Sequence, residues 1–75
     1  MINFKKEDIK YVDVVGGNIH ISFKDNCLLN GIDINVDNSF SLLAVTEDLK
    51  QKCNLILHTD LSHDGISHLV YVVND

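Results

Sequence analysis

The chain contains no proline, no tryptophan and no arginine in its 75 residues. The missing arginine matters most, because the guanidinium fork is the usual bidentate reader of phosphate. Cations are scarce as well: six lysines face eleven acids, for a formal net charge of -5. Three of the six, Lys5, Lys6 and Lys10, fall in the first ten residues, and Lys50 and Lys52 sit together later. Between Tyr11 and Leu49 there is only Lys24, against Asp13, Asp25, Asp33, Asp37, Glu47 and Asp48, and no lysine follows Cys53. A folded domain of this balance repels phosphate, so direct nucleic-acid binding is not expected. Its electrostatic complement is a basic protein surface or ribonucleoprotein.

Long apolar runs are also missing. Nothing approaches the ~20 residues of a membrane span, and the opening MINFKKEDIK lacks the apolar core of a signal peptide. A soluble, cytoplasmic protein with no membrane partner is the expectation. Cysteine is limited to Cys27 and Cys53, in no metal or redox spacing, which suits small buried thiols in a reducing compartment.

The hydrophobic share is 45%, that of an ordinary globular protein rather than a disordered one. A chain of this length makes one domain, residues 1–75, and buries only about 60% of its unfolded surface. Around Gly16-Gly17, YVDVV and NIHISF read as a hairpin that pairs Val14 with Ile19 and Val12 with Ile21 on one face. Tyr11, Asp13, His20 and Ser22 then fall on the other face. A short helical turn over 3–9, capped by Asn3, precedes it. Asp25-Asn26 signals a turn, and CLLNGIDINV reads as a third strand with a bulge or bend at Asn30-Gly31.

Residues 39–53 admit two readings. As one helix, Leu42, Val45, Leu49 and Cys53 form a stripe, with Ser39 or Ser41 as N-cap and Lys50 and Lys52 near the end. As strand then helix, Val36 pairs with Phe40 and Ile34 with Leu42, and a short helix capped by Thr46 follows, with Glu47 and Asp48 in its first turn. The longer helix is preferred, because five strands leave an apolar sheet face and no other segment is long enough to cover it.

Two apolar runs flank Asp64-Gly65, a strong hairpin signal. A two-residue turn puts His63 opposite Ile66, Leu61 opposite His68, Thr59 opposite Val70 and Leu57 opposite Val72. That face is the more apolar and is expected to be the core side. Ile56, His58, Asp60, Leu69, Tyr71 and Val73 fall on the other, mixed face. The expected fold is α+β: an antiparallel sheet of about five strands, order βββαββ, with one helix packed on one face.

Chemistry-bearing arrangements are sparse. His58, His63 and His68 are spaced by five with Asp60 and Asp64 among them. His63 and His68 share a face while His58 points the other way, so only two ligands converge where zinc wants three or four. No metal site is expected, and a pH-sensitive surface is the intermediate reading. Ser62 and Ser67 lack a Gly-x-Ser-x-Gly elbow. Gly16-Gly17 lacks the third glycine and following helix of a phosphate loop, and DINVDNS lacks the glycine and terminal glutamate of an EF-hand. Neither catalysis nor a cofactor is expected.

Asp33, Asp37, Glu47 and Asp48 cluster in sequence and are candidates for an acidic docking patch. Tyr71, Leu69 and His58, or else Tyr11 and His20, are candidates for its aromatic or apolar centre, with Asp60 a further partner-binding candidate beside His58. In size, charge and β-rich make-up the chain resembles the small acidic single-domain inhibitors of phages and toxin systems, such as anti-CRISPR and immunity proteins. That likeness rests on no motif. It implies an inhibitor that blocks a larger basic partner. The competing expectation is a non-catalytic accessory subunit, a homodimer joined through a sheet edge or the mixed face of the C-terminal hairpin.

Overall fold

Turn chemistry sets the two hairpins. Gly16 adopts φ +56°, a conformation glycine reaches without a Cβ penalty, and it joins β1 (Ile9–Val15) to β2 (Asn18–Phe23). The register is the expected one, Val12 opposite Ile21 and Val14 opposite Ile19. Asp64 and Gly65 both have positive φ, 51° and 78°, as a type I′ turn requires. They close β4 (Leu55–Asp60) onto β5 (His68–Val73), with His63 bridged to Ile66. A computed structural model of the chain describes residues 5–25 and 31–74.

The remaining elements are a 3₁₀ turn at Lys6–Asp8, β3 (Ile32–Asn35) and one helix, α1 (Ser39–Cys53). The 3₁₀ turn has Lys5 at its N-cap position; Asn3, expected to cap it, lies outside the described residues. So do Cys27 and the 26–30 part of the expected third strand, and with it Asn30 of the expected bulge or bend; Gly31, just before β3, has φ +137°. The five strands form one antiparallel sheet in the order β3-β2-β1-β5-β4, and the chain order is βββαββ. The fold class is therefore the expected one.

α1 is the longer of the two helices considered. Its N-cap is Asn38, whose side chain accepts from the Ser41 N–H at 2.8 Å, in place of the expected Ser39 or Ser41. All three are capping residues, and Asn38 is the one with extended backbone. Asn54 ends the helix in the left-handed region at φ +53°, a role asparagine shares with glycine. Its side chain also donates to the Asn74 carbonyl. The stripe Leu42, Val45 and Leu49 packs on the sheet, with Cys53 buried at its end. Beneath it lie Val12, Ile19 and Ile21, each at most 1% exposed, flanked by Ile9, Val14, Phe23, Leu55 and Tyr71.

Two expectations about the C-terminal hairpin are overturned. Thr59 does stand opposite Val70, but a bulge between Leu57 and Thr59 shifts the rest of β4, so Leu57 meets Tyr71 and Ile56 meets Val72. The core face is also reversed: Tyr71 is buried at 6% exposure, and Leu69 and Val73 pack against the core. The cause is long-range. β5 pairs with β1, placing Tyr71 opposite Val12 and Leu69 opposite Val14, and directly opposed residues share a face. Val70 and Val72 go to the outer side with Asp13 and Tyr11.

Candidate protein-docking site

The four clustered acids do not form one patch. Asp33 lies on β3 opposite His20, whose Nδ1 is 2.5 Å from its Oδ1. Asp37 is exposed in the turn between β3 and α1. Glu47 and Asp48 are on the helix, each beside its own lysine: Lys50 Nζ is 3.3 Å from Glu47 and Lys52 Nζ 3.0 Å from Asp48. Such surface pairs add little stability, yet they cancel much of the local charge. The sequence cluster thus divides among the open sheet face, the helix entry and the helix flank.

The second set divides too. His58 is exposed at the β4 bulge, with Nδ1 2.7 Å from the Thr59 hydroxyl. Asp60 is exposed and accepts the Ser62 N–H at 2.9 Å. Hydrogen bonds from the Ser62 side chain and then its backbone hold the Asp60 carboxyl below the ordinary carboxylate range. Leu69 and Tyr71 are on the helix side of the sheet, and the Lys50 ammonium sits 5.6 Å from the Tyr71 ring centroid, within cation–π reach. Tyr71 is therefore a core residue touched by one lysine, not an exposed contact ring.

The open sheet face carries a polar row. Asp33, His20 and Asp13 lie side by side across β3, β2 and β1, and His68 Nε2 on β5 is 3.3 Å from Asp13 Oδ1. His68 and Asp13 are partly buried, at 29% and 22% side-chain exposure. Val15, Val70, Val72 and Tyr11 surround the row on that face. His63 stands apart, 4.0 Å from its neighbour Asp64. Among the described residues, no three His, Cys, Asp or Glu side chains converge as a metal site would need. Cys53 is a buried free thiol whose pKa is pushed up by burial, with Lys52 and Lys6 acting against that effect.

The feature sequence reasoning missed is on the helix. Phe40 is 88% exposed and Leu43 61%, both in the first turns of α1. At about 100° per residue, Phe40 lies nearly opposite Leu42, so it points away from the sheet. A helical wheel over 39–53 would have placed it there. Beside Leu43, the helix stands off the sheet and leaves a groove of about 350 Å³ lined by Val14, Leu42, Leu69, Tyr71 and Thr46. Glu47, Ser39 and Ser67 rim it, and a smaller hollow running to Asp37 and Gly17 adjoins it at Leu42. Phe40 itself borders a separate hollow with Ser39 and Leu43, and Leu43 is shared between that hollow and the groove.

No protein-family model, no curated protein and no solved structure matches this chain. Its functional reading rests on its own residues. Among those described, no helix is long and apolar enough to cross a membrane.

Proposed function

We propose that the chain is a protein-binding module that docks on a larger, basic protein or ribonucleoprotein and inhibits it by occupying its surface. The observation that carries this reading is Phe40, 88% exposed beside the exposed Leu43, the two bordering a hollow with Ser39, on a chain of net charge -5. An exposed ring on a solvated helix has no role in the monomer's own core, and a buried aromatic anchor is what dominates most interfaces. The excess of carboxylates over lysines speeds encounter with a cationic partner and selects against acidic ones.

The test uses two tagged baits in lysate from the native host, the wild-type chain and a Phe40→Asp/Leu43→Asp variant. The wild type should retain a basic protein that the variant releases, and retention should fall as salt is raised. A partner held equally by both baits would remove Phe40 and Leu43 from the interface.

A second reading, self-association, is favoured by β4. It is an edge strand of the sheet, and Ile56 and Leu57 on it are 45% and 52% exposed. Unpaired edges invite strand addition, although the bulge at His58 breaks the ladder that such pairing would use. Light scattering separates the readings: a monomer at micromolar concentration supports docking on another protein, a dimer the edge.

A further inference from the structure

We propose that the groove between the first half of α1 and strands β1 and β5 receives one apolar side chain, leucine- to phenylalanine-sized, from a partner segment whose flanking residues are lysine or arginine. This rests on the docking reading above and narrows it to one pocket and one peptide chemistry.

Three observations support it. The first is capacity. At about 350 Å³, the groove has more than twice the volume of a roughly 150 Å³ apolar cavity that holds benzene, which leaves room for a side chain and adjoining backbone. The second is an unpaired hydroxyl. Thr46 lines the groove, and its Oγ1 is buried with no hydrogen-bond partner among the described residues. Buried polar atoms are nearly always satisfied, and a turn of the Thr46 side chain toward the groove would offer the hydroxyl to a peptide N–H or C=O entering beside the apolar side chain. The rest of the lining is mostly apolar, from Val14, Leu42, Leu43, Leu69 and the Tyr71 ring, with Ser39, Glu47 and Ser67 among it, and burying a charged side chain among the apolar groups is costly.

The third observation is the charge around the opening. Glu47 is at the rim, and Asp37, at the far end of the adjoining hollow, makes no ion pair among the described residues. Lys50 lies near the mouth but is engaged by Glu47 at 3.3 Å and by the Tyr71 ring. Flanking cations on the partner would reach Asp37 and be favoured by the net charge of -5, whereas flanking acids would be repelled.

The test is an NMR titration of the intact, isotope-labelled chain with three capped tripeptides: acetyl-Lys-Phe-Lys-amide, acetyl-Lys-Ser-Lys-amide and acetyl-Glu-Phe-Glu-amide. The first should shift the methyls of Val14, Leu42 and Leu69 saturably. The serine peptide should bind at least about tenfold more weakly, through loss of the apolar group, and the glutamate peptide should also be weaker. Thr46→Val, which keeps the shape and removes the hydroxyl, should weaken the Lys-Phe-Lys peptide with the spectrum otherwise intact. Equal shifts with the serine peptide, or shifts away from the groove, overturn the pocket; equal binding of the glutamate peptide overturns the cationic preference. In the lysate assay, a partner that needs Phe40 and Leu43 but still binds a folded Thr46→Leu chain overturns the groove inference alone. Indifference to all three positions overturns the docking reading itself.

Discussion

Tyr71 stands directly opposite Val12 across the β1–β5 ladder, and both are buried, at 6% and 1% exposure. This pairing joins the two hairpins into one sheet and decides which side of the C-terminal hairpin becomes core. Truncating Tyr71→Ala should therefore cost about 3–5 kcal/mol, the range for large aromatic side chains in cores. Urea unfolding measures it, and an unchanged midpoint would mean that Tyr71 is outside the core.

Gly17 is needed for space. A Cβ added there would sit 3.0 Å from the Val36 carbonyl oxygen, and the Val36 N–H donates to the Gly17 carbonyl at 2.8 Å. Because the obstructing atom is backbone, Gly17→Ala should push β3 and the helix entry away from the hairpin. The expected loss is about 1–3 kcal/mol, as for other overpacked positions. Amide exchange should quicken first at Val36 and at Ser41, whose N–H depends on the Asn38 cap.

Asp60 gives a pH dependence of known sign. Ser62 stabilises its charged form and lowers its folded pKa below the usual 3.8. The contribution to stability is thus fully present above the unfolded carboxylate value and is lost as pH falls through the folded value. The stability difference between wild type and Asp60→Asn should be constant near neutrality and vanish in acid. Ser62→Ala should return the Asp60 titration, followed by carboxyl carbon NMR, to the ordinary range. A titration already ordinary in the wild type would disprove the contact.

Cys53 should be inert while the chain is folded. Burial raises its thiol pKa, the thiolate is the nucleophile, and the side chain is enclosed at the helix end. In a Cys27→Ser background, iodoacetamide should label Cys53 at a rate that follows unfolding and rises steeply with urea. Rapid labelling without denaturant would place the sulfur at the surface.

Local signals were legible and distant ones were not. Gly16 and the Asp64-Gly65 pair impose turn geometry within a few residues, so the ladder next to each turn could be derived from the sequence. The helix was legible because Leu42, Val45, Leu49 and Cys53 repeat at its period. The core face of β5 was misassigned because it depends on β1, more than fifty residues away, and comparing apolar content within one hairpin cannot register that neighbour. The bulge at His58 carries no glycine to mark it. Among Asn38, Ser39 and Ser41 the cap is chosen by backbone geometry, since all three side chains can accept the bond. Of the candidate site, the adjacency of Asp33, Asp37, Glu47 and Asp48 in sequence suggests a patch that strand and helix directions separate. Phe40 was overlooked because the stripe beside it already accounted for an amphipathic helix.

The order of the strands has a bearing on synthesis. β1, the first strand in chain order, is the middle strand of the sheet, and the strand that completes it on one side, β5, is the last of the five to be made. Until His68–Val73 has left the ribosome, the nascent chain displays Val12 and Val14 along an unfinished sheet margin, where strand-to-strand sticking is a hazard. A message truncated after residue 67 would thus yield a three-stranded β3-β2-β1 sheet with β1 unpaired on one side and β4 without its neighbour, fit for degradation rather than a shortened version of the domain.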